Sequence, residues 1–546
     1  MDPARQIRVF ILKPGLPKDP LVGSFEIVTI VPDTHLSSIN SAEWEAVSYV
    51  WGNQELTEPI RIDGSVRCVT HNVISLLIDL RWSDKPRRLW IDGICINQDD
   101  PNEKSQQIGI MLQVYQNAKS VIIWLKEISG ELAASLAAIQ WMEKLLSEQE
   151  DTPLSNTKSL QRDFDTTHNF RHGFVGKLLA NPWFTRIWVI QEAVVARNLL
   201  VFMASELVPW DSLVNLAFRF AAQRLPAREA LTMPLIKCYL SCLESVDGTA
   251  AEKGISMIYL IQRFRMVLAC SKMVPPSEVA YLAIGRTAKL PHDMIYAMNG
   301  LFKLWASHFP TKTDYSSPPS EIFKSFVVNC IEHEQNLDIL SQLRLGRDTV
   351  FRHGQLSHEL PTWSLDWTFS NMNWTQRASA PAVGLERPSV SFAPSPHQIF
   401  CHRDGNILML YGFIIDEIIS NQTGEYSFFD VSEEQREAAN RLPRLWRDGD
   451  HPYTATDLGD WYWPHRMKGG GVAFSFGKAD VQNCFVCYLF GARHPIILNR
   501  VQRGPPEDGQ FFTIALGTCI IEGFEDGKGL QKCLDLGLED RIFQLM

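Results

Sequence analysis

The 546-residue sequence has no long apolar run and no excess of basic residues. Its longest apolar stretches, such as Ser120–Leu125 and Ile407–Ile415, are much shorter than the roughly 18 residues that a membrane-spanning helix requires. Lysine and arginine total 52 against 62 aspartate and glutamate, which gives a net charge of −10 and argues against a protein that coats nucleic acid. We therefore expect neither a membrane nor a nucleic-acid partner.

Cysteine is sparse as well. The 11 cysteines are scattered and odd in number, which predicts reduced thiols rather than a disulfide framework. The first residues lead into a short apolar stretch that ends at Lys13, and they lack the hydrophobic segment and cleavage site of a secretory signal peptide. These features predict a cytoplasmic protein.

Common catalytic and metal-binding motifs are also missing. Gly-x-Ser-x-Gly and His-Glu-x-x-His do not occur, and Gly469–Gly471 lacks the lysine of a phosphate-binding loop. Cys484 and Cys487 form a Cys-x-x-Cys pair, but no second pair lies at zinc-finger spacing, which favours two buried thiols. We therefore predict no metal site, and a hydrolase or redox enzyme built on these two cysteines is the least favoured function.

The composition is that of a folded protein, with 45% hydrophobic and 21% charged residues. At roughly 100–200 residues per domain, the length predicts about three domains. We divide the chain into an N-terminal strand extension (1–40), an α/β domain (41–200), a mainly helical region (201–374), a flexible linker (375–396) and a β-rich region (397–546).

Short apolar runs alternate with helical patterns in the α/β domain. Ala46–Val50, Leu89–Ile96 and Ser120–Leu125 have the length and composition of buried strands. A strand, a helix and a strand in succession indicate a parallel sheet. The polar stretch Ser147–His168 interrupts the pattern and is predicted to be an inserted loop.

Two helices of this domain have clear starts. Asp100 is a predicted N-cap before Pro101, and Glu103 completes a capping box. The second helix is predicted to begin at Asn181 and to continue through Val195. The apolar face of the first helix consists of Ile108, Met111, Leu112 and Tyr115.

Helical patterns dominate over 210–340, and strand patterns dominate after Gln398. The clearest predicted helices there are Asp211–Ala222 and Pro319–Glu334. The predicted strands are Ile407–Ile415, Cys484–Phe490, Pro495–Leu498 and Phe511–Ile521.

Glu192 is the first candidate for a catalytic residue. Residues four apart share a helix face, so Trp188 is its neighbour, and the other near positions carry no charge. Such a carboxylate must be satisfied across the fold or must face a cleft in which its pKa rises. A buried structural glutamate and a catalytic glutamate are both compatible with this pattern.

Polar residues near the second predicted strand are candidates for a cleft. Asp92 interrupts the apolar run, and Asn97 and Gln98 end it. Because ligands of open parallel sheets gather outside the carboxyl ends of the strands, these side chains are expected at the rim of a cleft. Asp99 and Asp100 are better explained as helix-capping residues.

The end of the first strand carries two aromatic residues and a glycine. Gly52 is suited to the positive φ of a tight turn. Tyr49 and Trp51 are suited to stacking on a nucleotide base and equally to packing in the core.

Together these segments resemble the fungal heterokaryon-incompatibility (HET) domain over Ser41–Arg197. The matching blocks are Ala46–Gly52, Leu89–Gln98, Glu103–Gln107 with Tyr115, Ala118 and Trp124, and Pro182–Glu192. Further segments similar to the family are Arg286–Leu301, Asp314–Ser316, Leu360–Trp367, Cys484–Arg500 and Gly517–Gly527. The family's usual Asp-Pro-Arg-Asp is replaced by Leu290–Asp293, so its arginine is missing.

HET domains are distantly similar to TIR domains, which implies a flavodoxin-like parallel sheet followed by the helical middle region and the β-rich C-terminal region. Many TIR enzymes cleave NAD at the nicotinamide–ribose bond with the glutamate of a Trp-x-x-x-Glu motif, and Trp188 and Glu192 match that spacing. Leu89–Asp92 resembles the second TIR strand, and Asp99–Glu103 falls at the position of the TIR BB loop. The resemblance makes Glu192 the catalytic candidate. The substrate-binding candidates are Tyr49, Trp51, Gly52, Asp92, Asn97, Gln98 and Trp188.

The resemblance implies two functional hypotheses. The first is a cytosolic effector of nonself recognition, innate immunity and programmed cell death, with NAD as a substrate and no cofactor. The second is a non-catalytic module that signals as a homo-oligomer through contacts between HET domains. In both cases the partner that triggers incompatibility is unknown from the sequence.

Overall fold

The computed structural model of the chain describes three parts, namely an N-terminal sheet, a helical region and a C-terminal sheet. The described residues are 2–30, 43–125, 176–203, 205–222, 250–341, 359–368, 401–418, 462–469, 472–476, 484–492, 494–501, 510–521, 524 and 529–546. The loop predicted at 147–168 and the linker predicted at 375–396 lie outside them. Within these residues, no helix has both the length and the apolar character needed to cross a membrane.

A mixed sheet of nine described strands forms the N-terminal part of the fold. The strands are β1 (Gln6–Leu12), β2 (Val22–Thr29), β3 (Glu45–Tyr49), β4 (Glu58–Ile62), β5 (Ser65–Val69), β6 (Arg87–Trp90), β7 (Ser120–Trp124), β8 (Leu199–Met203) and β9 (Glu206–Pro209), and helix α1 (His71–Leu80) precedes β6. Their order across the sheet is β5-β4-β2-β1-β6-β3-β7-β8-β9.

Four neighbouring strands of this sheet, β6, β3, β7 and β8, are parallel, which confirms the predicted parallel arrangement. Strand β7 is buried along its whole length, as expected for a parallel strand that is covered on both faces. Strand β1 joins this group antiparallel to β6, and β9 pairs antiparallel with β8. The sheet as a whole is therefore mixed.

The predicted strand Leu89–Ile96 is wrong beyond Trp90. Strand β6 ends there, and Asp92–Cys95 forms a short helix, α2. The Asp92 carboxylate accepts a hydrogen bond from the backbone N–H of Gly93 at 2.7 Å, within the first turn of this helix. The apolar residues remain buried in the helical turn, and a short apolar run does not distinguish the two conformations.

Helix α3 (Pro101–Asn117) begins as predicted. Asp100 caps it and accepts a hydrogen bond from the backbone N–H of Glu103 at 3.2 Å. The predicted role of Glu103 in a capping box is wrong, because its carboxylate pairs with the guanidinium of Arg8 at 2.9 Å and accepts from the N–H of Asn97 at 2.8 Å. A charged donor is a stronger partner for this carboxylate than a backbone N–H.

The helix predicted from 181 to 195 is divided in two. A 3₁₀ helix occupies Pro182–Thr185, and helix α4 occupies Val189–Val194. Between them the backbone of Arg186 is extended, because the residues on either side of it pair through backbone hydrogen bonds with Thr287. The continuous helix is therefore wrong over these residues.

Helices dominate the described residues between 210 and 341, as predicted. They are α5 (Trp210–Ala222), α6 (Ala250–Ala269), α7 (Pro276–Ala283), α8 (Asp293–Tyr296), α9 (Asn299–Trp305), α10 (Pro319–Glu334) and α11 (Asp338–Ser341). Helix α6 packs on α4, α5 and the 3₁₀ helix, and α9 packs on α3. The helical region thus rests on the α3 and α4 side of the N-terminal domain.

A second sheet, of eight described strands, confirms the β-rich C-terminal region. Its elements are β10 (Cys401–Asp404), β11 (Ile407–Glu417), β12 (Tyr462–Arg466), β13 (Val472–Phe476), β14 (Cys484–Leu489), β15 (Ile496–Val501), β16 (Phe511–Ile520) and β17 (Asp540–Leu545), with helix α12 (Gly529–Asp535). Trp363 and Trp367 are buried in the apolar core that the N-terminal sheet, the helices and this sheet share. Cys484 and Cys487 lie buried in β14.

Candidate functional site

Several predicted site residues meet near the carboxyl ends of β3 and β6. Strand β3 contributes Ser48 and Tyr49, and helix α2 begins with Asp92. The 3₁₀ helix contributes Trp183, and α4 contributes Glu192. The fold thus brings together side chains as far apart in sequence as Ser48 and Glu192, which are separated by 144 positions.

The Glu192 carboxylate is buried, since only 2% of the residue is exposed. The Ser48 hydroxyl donates a hydrogen bond to Oε2 of Glu192, and the indole N–H of Trp183 donates to Oγ of Ser48 at 2.8 Å. Burial raises the pKa of Glu192 to about 7, although the charge of Arg186 and the bond from Ser48 lower it. The Glu192 carboxyl group is therefore present in both its protonated and its ionised form near neutral pH.

Asp92 is the second carboxylate of the site and is partly exposed. Its Oδ2 accepts a hydrogen bond from the indole N–H of Trp51 at 2.8 Å. Burial raises the pKa of Asp92, whereas the charge of Arg186 lowers it. The Tyr49 hydroxyl lies against this carboxylate, and burial together with the Asp92 charge raises the pKa of Tyr49 well above its usual value. Tyr49 therefore stays protonated as a hydrogen-bond donor.

Arg186 is the cation of this group. Its guanidinium donates a hydrogen bond to the backbone carbonyl of Tyr49, and its positive charge lowers the pKa of both Asp92 and Glu192. The extended backbone that Thr287 imposes at this residue places the side chain at the carboxylates. The site therefore combines two carboxylates that titrate above their usual range with one guanidinium, a pattern common in functional sites.

Three further predicted binding residues are Gly52, which follows Trp51, and Asn97 and Gln98, which follow the α2 turn. Gly52 has a φ of +67°, which confirms the predicted left-handed turn. The Gln98 amide donates a hydrogen bond to the backbone carbonyl of Asp92 at 3.0 Å and so holds the α2 turn. Asn97 is exposed next to Gln98. Whether any of these residues binds a substrate stays a prediction.

Trp188 faces a different partner. It lies one turn before Glu192, whose N–H donates to the Trp188 carbonyl at 3.4 Å. Its side chain donates a hydrogen bond to Asp293 of α8, and the Tyr315 hydroxyl donates to the same carboxylate at 2.8 Å. Burial raises the pKa of Asp293. Trp188 thus connects the N-terminal domain with the helical region.

Ser48, Trp183 and Arg186 were not predicted as site residues. Ser48 and Trp183 lie inside the blocks that carry the HET resemblance, but neither a serine nor a tryptophan marks a site by its residue type alone. Distance along the sequence also misleads about which arginine faces Glu192. Arg197 is nearer to it in the sequence than Arg186, the arginine that lies in the site. Only their positions in the fold mark these residues.

Within the described part of the chain, no group of three His, Cys, Asp or Glu side chains could hold a metal ion. The site offers a carboxylate with a pKa of about 7 at Glu192, a second carboxylate with a raised pKa at Asp92, and hydrogen-bond donors from Trp51 and Tyr49. An ionised buried carboxylate also stabilises positive charge that develops on a bound ligand.

Residues 44–192 hold β3, β6, β7, α3 and the residues of this site, and they match one known family. It is the heterokaryon incompatibility protein (HET) family. We call residues 44–192 the HET segment. The match confirms the HET resemblance, whereas the likeness to TIR domains stays a prediction.

One relative is heterokaryon incompatibility protein 6, OR allele, of Neurospora crassa. It is 30% identical over 453 residues, which cover 73% of this chain and 62% of that protein. The chain therefore spans less than two thirds of the length of this relative. No solved structure matches the chain.

The raised pKa of Glu192 predicts a specific pH dependence of stability. Between the usual glutamate pKa of about 4.3 and the folded-state value of about 7, the folded chain binds more protons than the unfolded chain, so stability falls as pH rises. The loss amounts to roughly 4 kcal/mol and is complete above the higher value. Urea unfolding should therefore show the wild type losing roughly 4 kcal/mol relative to Glu192→Gln across this window. The other acidic groups contribute equally to the two proteins, so they cancel in the difference between the two unfolding free energies. A difference that does not change with pH would therefore contradict the raised pKa of Glu192.

Proposed function

We propose that this protein is an effector of nonself recognition and programmed cell death. The match of residues 44–192 to the HET family supports this role. The Neurospora relative supports it through its name, which describes heterokaryon incompatibility. The matched region covers 62% of that relative, so extending the role of the whole relative to this chain is part of the proposal.

In this proposal the HET segment cleaves NAD. The parallel strands β3, β6 and β7 of the segment and β8 directly after it, numbered in chain order, lie as 2-1-3-4 across the sheet. This is the order of flavodoxin-like folds and supports a TIR-like domain. Such sheets bind ligands outside the carboxyl ends of their strands. The observation that carries the proposal is that Glu192, Asp92 and Arg186 converge at this edge.

The cleavage step breaks the bond between the ribose carbon and the nicotinamide nitrogen, and the electron pair leaves with nicotinamide. The ribose cation that forms is stabilised by the ionised carboxylate of Glu192. A water molecule then adds to the ribose carbon and releases one proton, which gives ADP-ribose. Trp51 and Tyr49, which contact Asp92, bind the ribose side of the substrate in this scheme.

The burial of Glu192 sets a condition for this chemistry. With 2% of the residue exposed, a substrate reaches the carboxylate only after the surrounding elements have moved. The α2 turn is our candidate for this movement, because it carries Asp92 into the site. The hydrogen bonds from Trp51, Tyr49 and Gln98 to Asp92 then have to break, as does the bond from Arg8 to the Cys95 carbonyl. The closed site is what we expect of an effector that stays inactive until its trigger binds.

The same burial favours a second candidate function, a non-catalytic module that assembles through contacts between HET segments. In that case the hydrogen bonds among Trp183, Ser48 and Glu192 serve only to hold α4 against β3. The buried carboxylate is then structural and no substrate enters.

The NAD content of cells that express the wild-type chain separates the two functions. The enzymatic proposal expects NAD to fall before the cells lose viability, and expects the purified chain to release nicotinamide from added NAD. The assembly proposal expects cell death at constant NAD together with a concentration-dependent oligomer in size-exclusion chromatography. Cells that die with an unchanged NAD content would eliminate the enzymatic version.

A further inference from the structure

A cleft with apolar and polar lining residues lies where the helical region contacts the HET segment, and Glu192 does not line it. Its volume is 260 Å³. Helices α3 and α4 form one wall, and helices α8 and α9 with the segment 311–313 form the other. A ligand in this cleft would contact both parts of the chain at once.

The cleft is positively charged although the protein carries a net charge of −10. Lys303 and Lys312 line it, both are exposed, and neither pairs with an acidic side chain within the described residues. The described residues that line the cleft include no carboxylate. The next acidic residue along the chain is Asp314, whose carboxylate is occupied by hydrogen bonds from Ser316 and Ser317. The two ammonium groups are therefore available to an anion.

Gln191 is the observation that points to a ligand. It is 2% exposed and lines the cleft, yet no described residue donates to or accepts from its side-chain amide. The side-chain amide opens onto the cleft, so a bound molecule there can both donate a hydrogen bond to it and accept one from it. Gly300 leaves room at this point, since a β-carbon there would lie 3.0 Å from Oε1 of Gln191.

The opposite wall is polar and is held in place. The side-chain amide of Asn299 donates a hydrogen bond to the backbone carbonyl of Thr311 at 3.1 Å, which holds the segment 311–313 against α9. Thr311 and Thr313 line the cleft together with the two lysines. Ammonium, hydroxyl and amide groups are the donors that phosphate oxygens accept from in proteins.

We propose that this cleft binds a phosphate group, either free or carried by a small metabolite. The cleft is smaller than the sites that hold drug-sized ligands, and a phosphate with a sugar-sized substituent suits its volume. Because the ligand contacts Gln191, the residue before Glu192, its binding acts directly on α4. The site does not depend on NAD cleavage. A small molecule bound there would regulate the contact between the HET segment and the helical region.

Calorimetric titration of the full chain with inorganic phosphate, pyrophosphate and ribose 5-phosphate tests this site. We expect saturable binding of at least one probe, and Lys303→Gln and Lys312→Gln should each weaken it by about tenfold or more, since each removes a charged donor. Gln191→Leu should weaken it as well. Tighter binding of ribose 5-phosphate than of inorganic phosphate supports a metabolite, and the reverse order supports free phosphate.

Lys119→Gln is the matched control, because Lys119 is an exposed lysine outside the cleft. It should leave the affinity of each probe unchanged. The proposal is overturned if none of the three probes binds, if the Lys303 and Lys312 variants bind as the wild type does, or if the control loses as much affinity as they do.

Discussion

Replacement of Glu192 by glutamine is expected to abolish both cell death and NAD loss while the chain stays folded. Glutamine has the size of glutamate, and its side-chain oxygen still accepts the hydrogen bond from Ser48. It carries no negative charge, so it does not stabilise the ribose cation in the proposed reaction. The loss of one such stabilising group typically lowers a rate by about 10²–10³-fold. Nicotinamide release by the purified variant measures this loss directly.

Glu334→Gln is a closely matched control for this substitution. Glu334 is also a glutamate whose burial raises its pKa to about 7, and it accepts hydrogen bonds from the N–H and the hydroxyl of Ser277 at 2.8 and 2.7 Å. It is the last residue of α10 and contacts Ser277 of α7, and it is not among the residues around Glu192. This variant should keep cell death and NAD loss at wild-type levels. If the Glu192 variant did the same, Glu192 would be a structural residue and the assembly function would be favoured.

Replacement of Arg286 by leucine is expected to give the largest loss of stability, about 3–5 kcal/mol. The residue is 1% exposed. Its guanidinium donates to the backbone carbonyls of Phe184 and Lys253, each at 3.2 Å, and to the Ser256 hydroxyl at 2.9 Å. Leucine removes the donors and leaves these acceptors buried. Since Phe184 belongs to the HET segment and the other two to α6, the contact between these parts should weaken as well.

The urea midpoint of the full chain measures this effect. Arg286→Lys should lie between the wild type and the leucine variant, because an ammonium keeps the charge but not the planar set of donors. Arg67→Gln, at an exposed arginine, should stay within about 0.5 kcal/mol of the wild type. A leucine variant with an unchanged midpoint would show that the bonds of Arg286 add no net stability.

Elements whose ends depend on neighbouring residues were predictable. Asp100 before Pro101 placed the start of α3, and apolar periodicity placed α10 at Pro319–Glu334. Strands β11, β14, β15 and β16 lie within a few residues of their predicted positions. Helix caps and apolar patterns act over a few residues, so a sequence contains the information that decides them.

Elements that depend on distant residues were not predictable. The helix predicted across 181–195 breaks because Thr287 pairs with the backbone of Thr185, which is 102 residues away. The Glu103 carboxylate turns away from its own helix because Arg8 reaches it from a strand 95 residues earlier. Neither partner can be inferred from the sequence around the residue that it controls.

The sequence by itself determined the α/β order of the first domain, the HET resemblance and the choice of Glu192 and Asp92 as the carboxylates of interest. Tertiary structure alone decided that Ser48 bonds to Glu192 and that Arg186, not the nearer Arg197, supplies the cation. The reason is physical. Burial and hydrogen-bond geometry depend on which residues meet in space, and in this site the residues that meet are separated by as many as 144 positions.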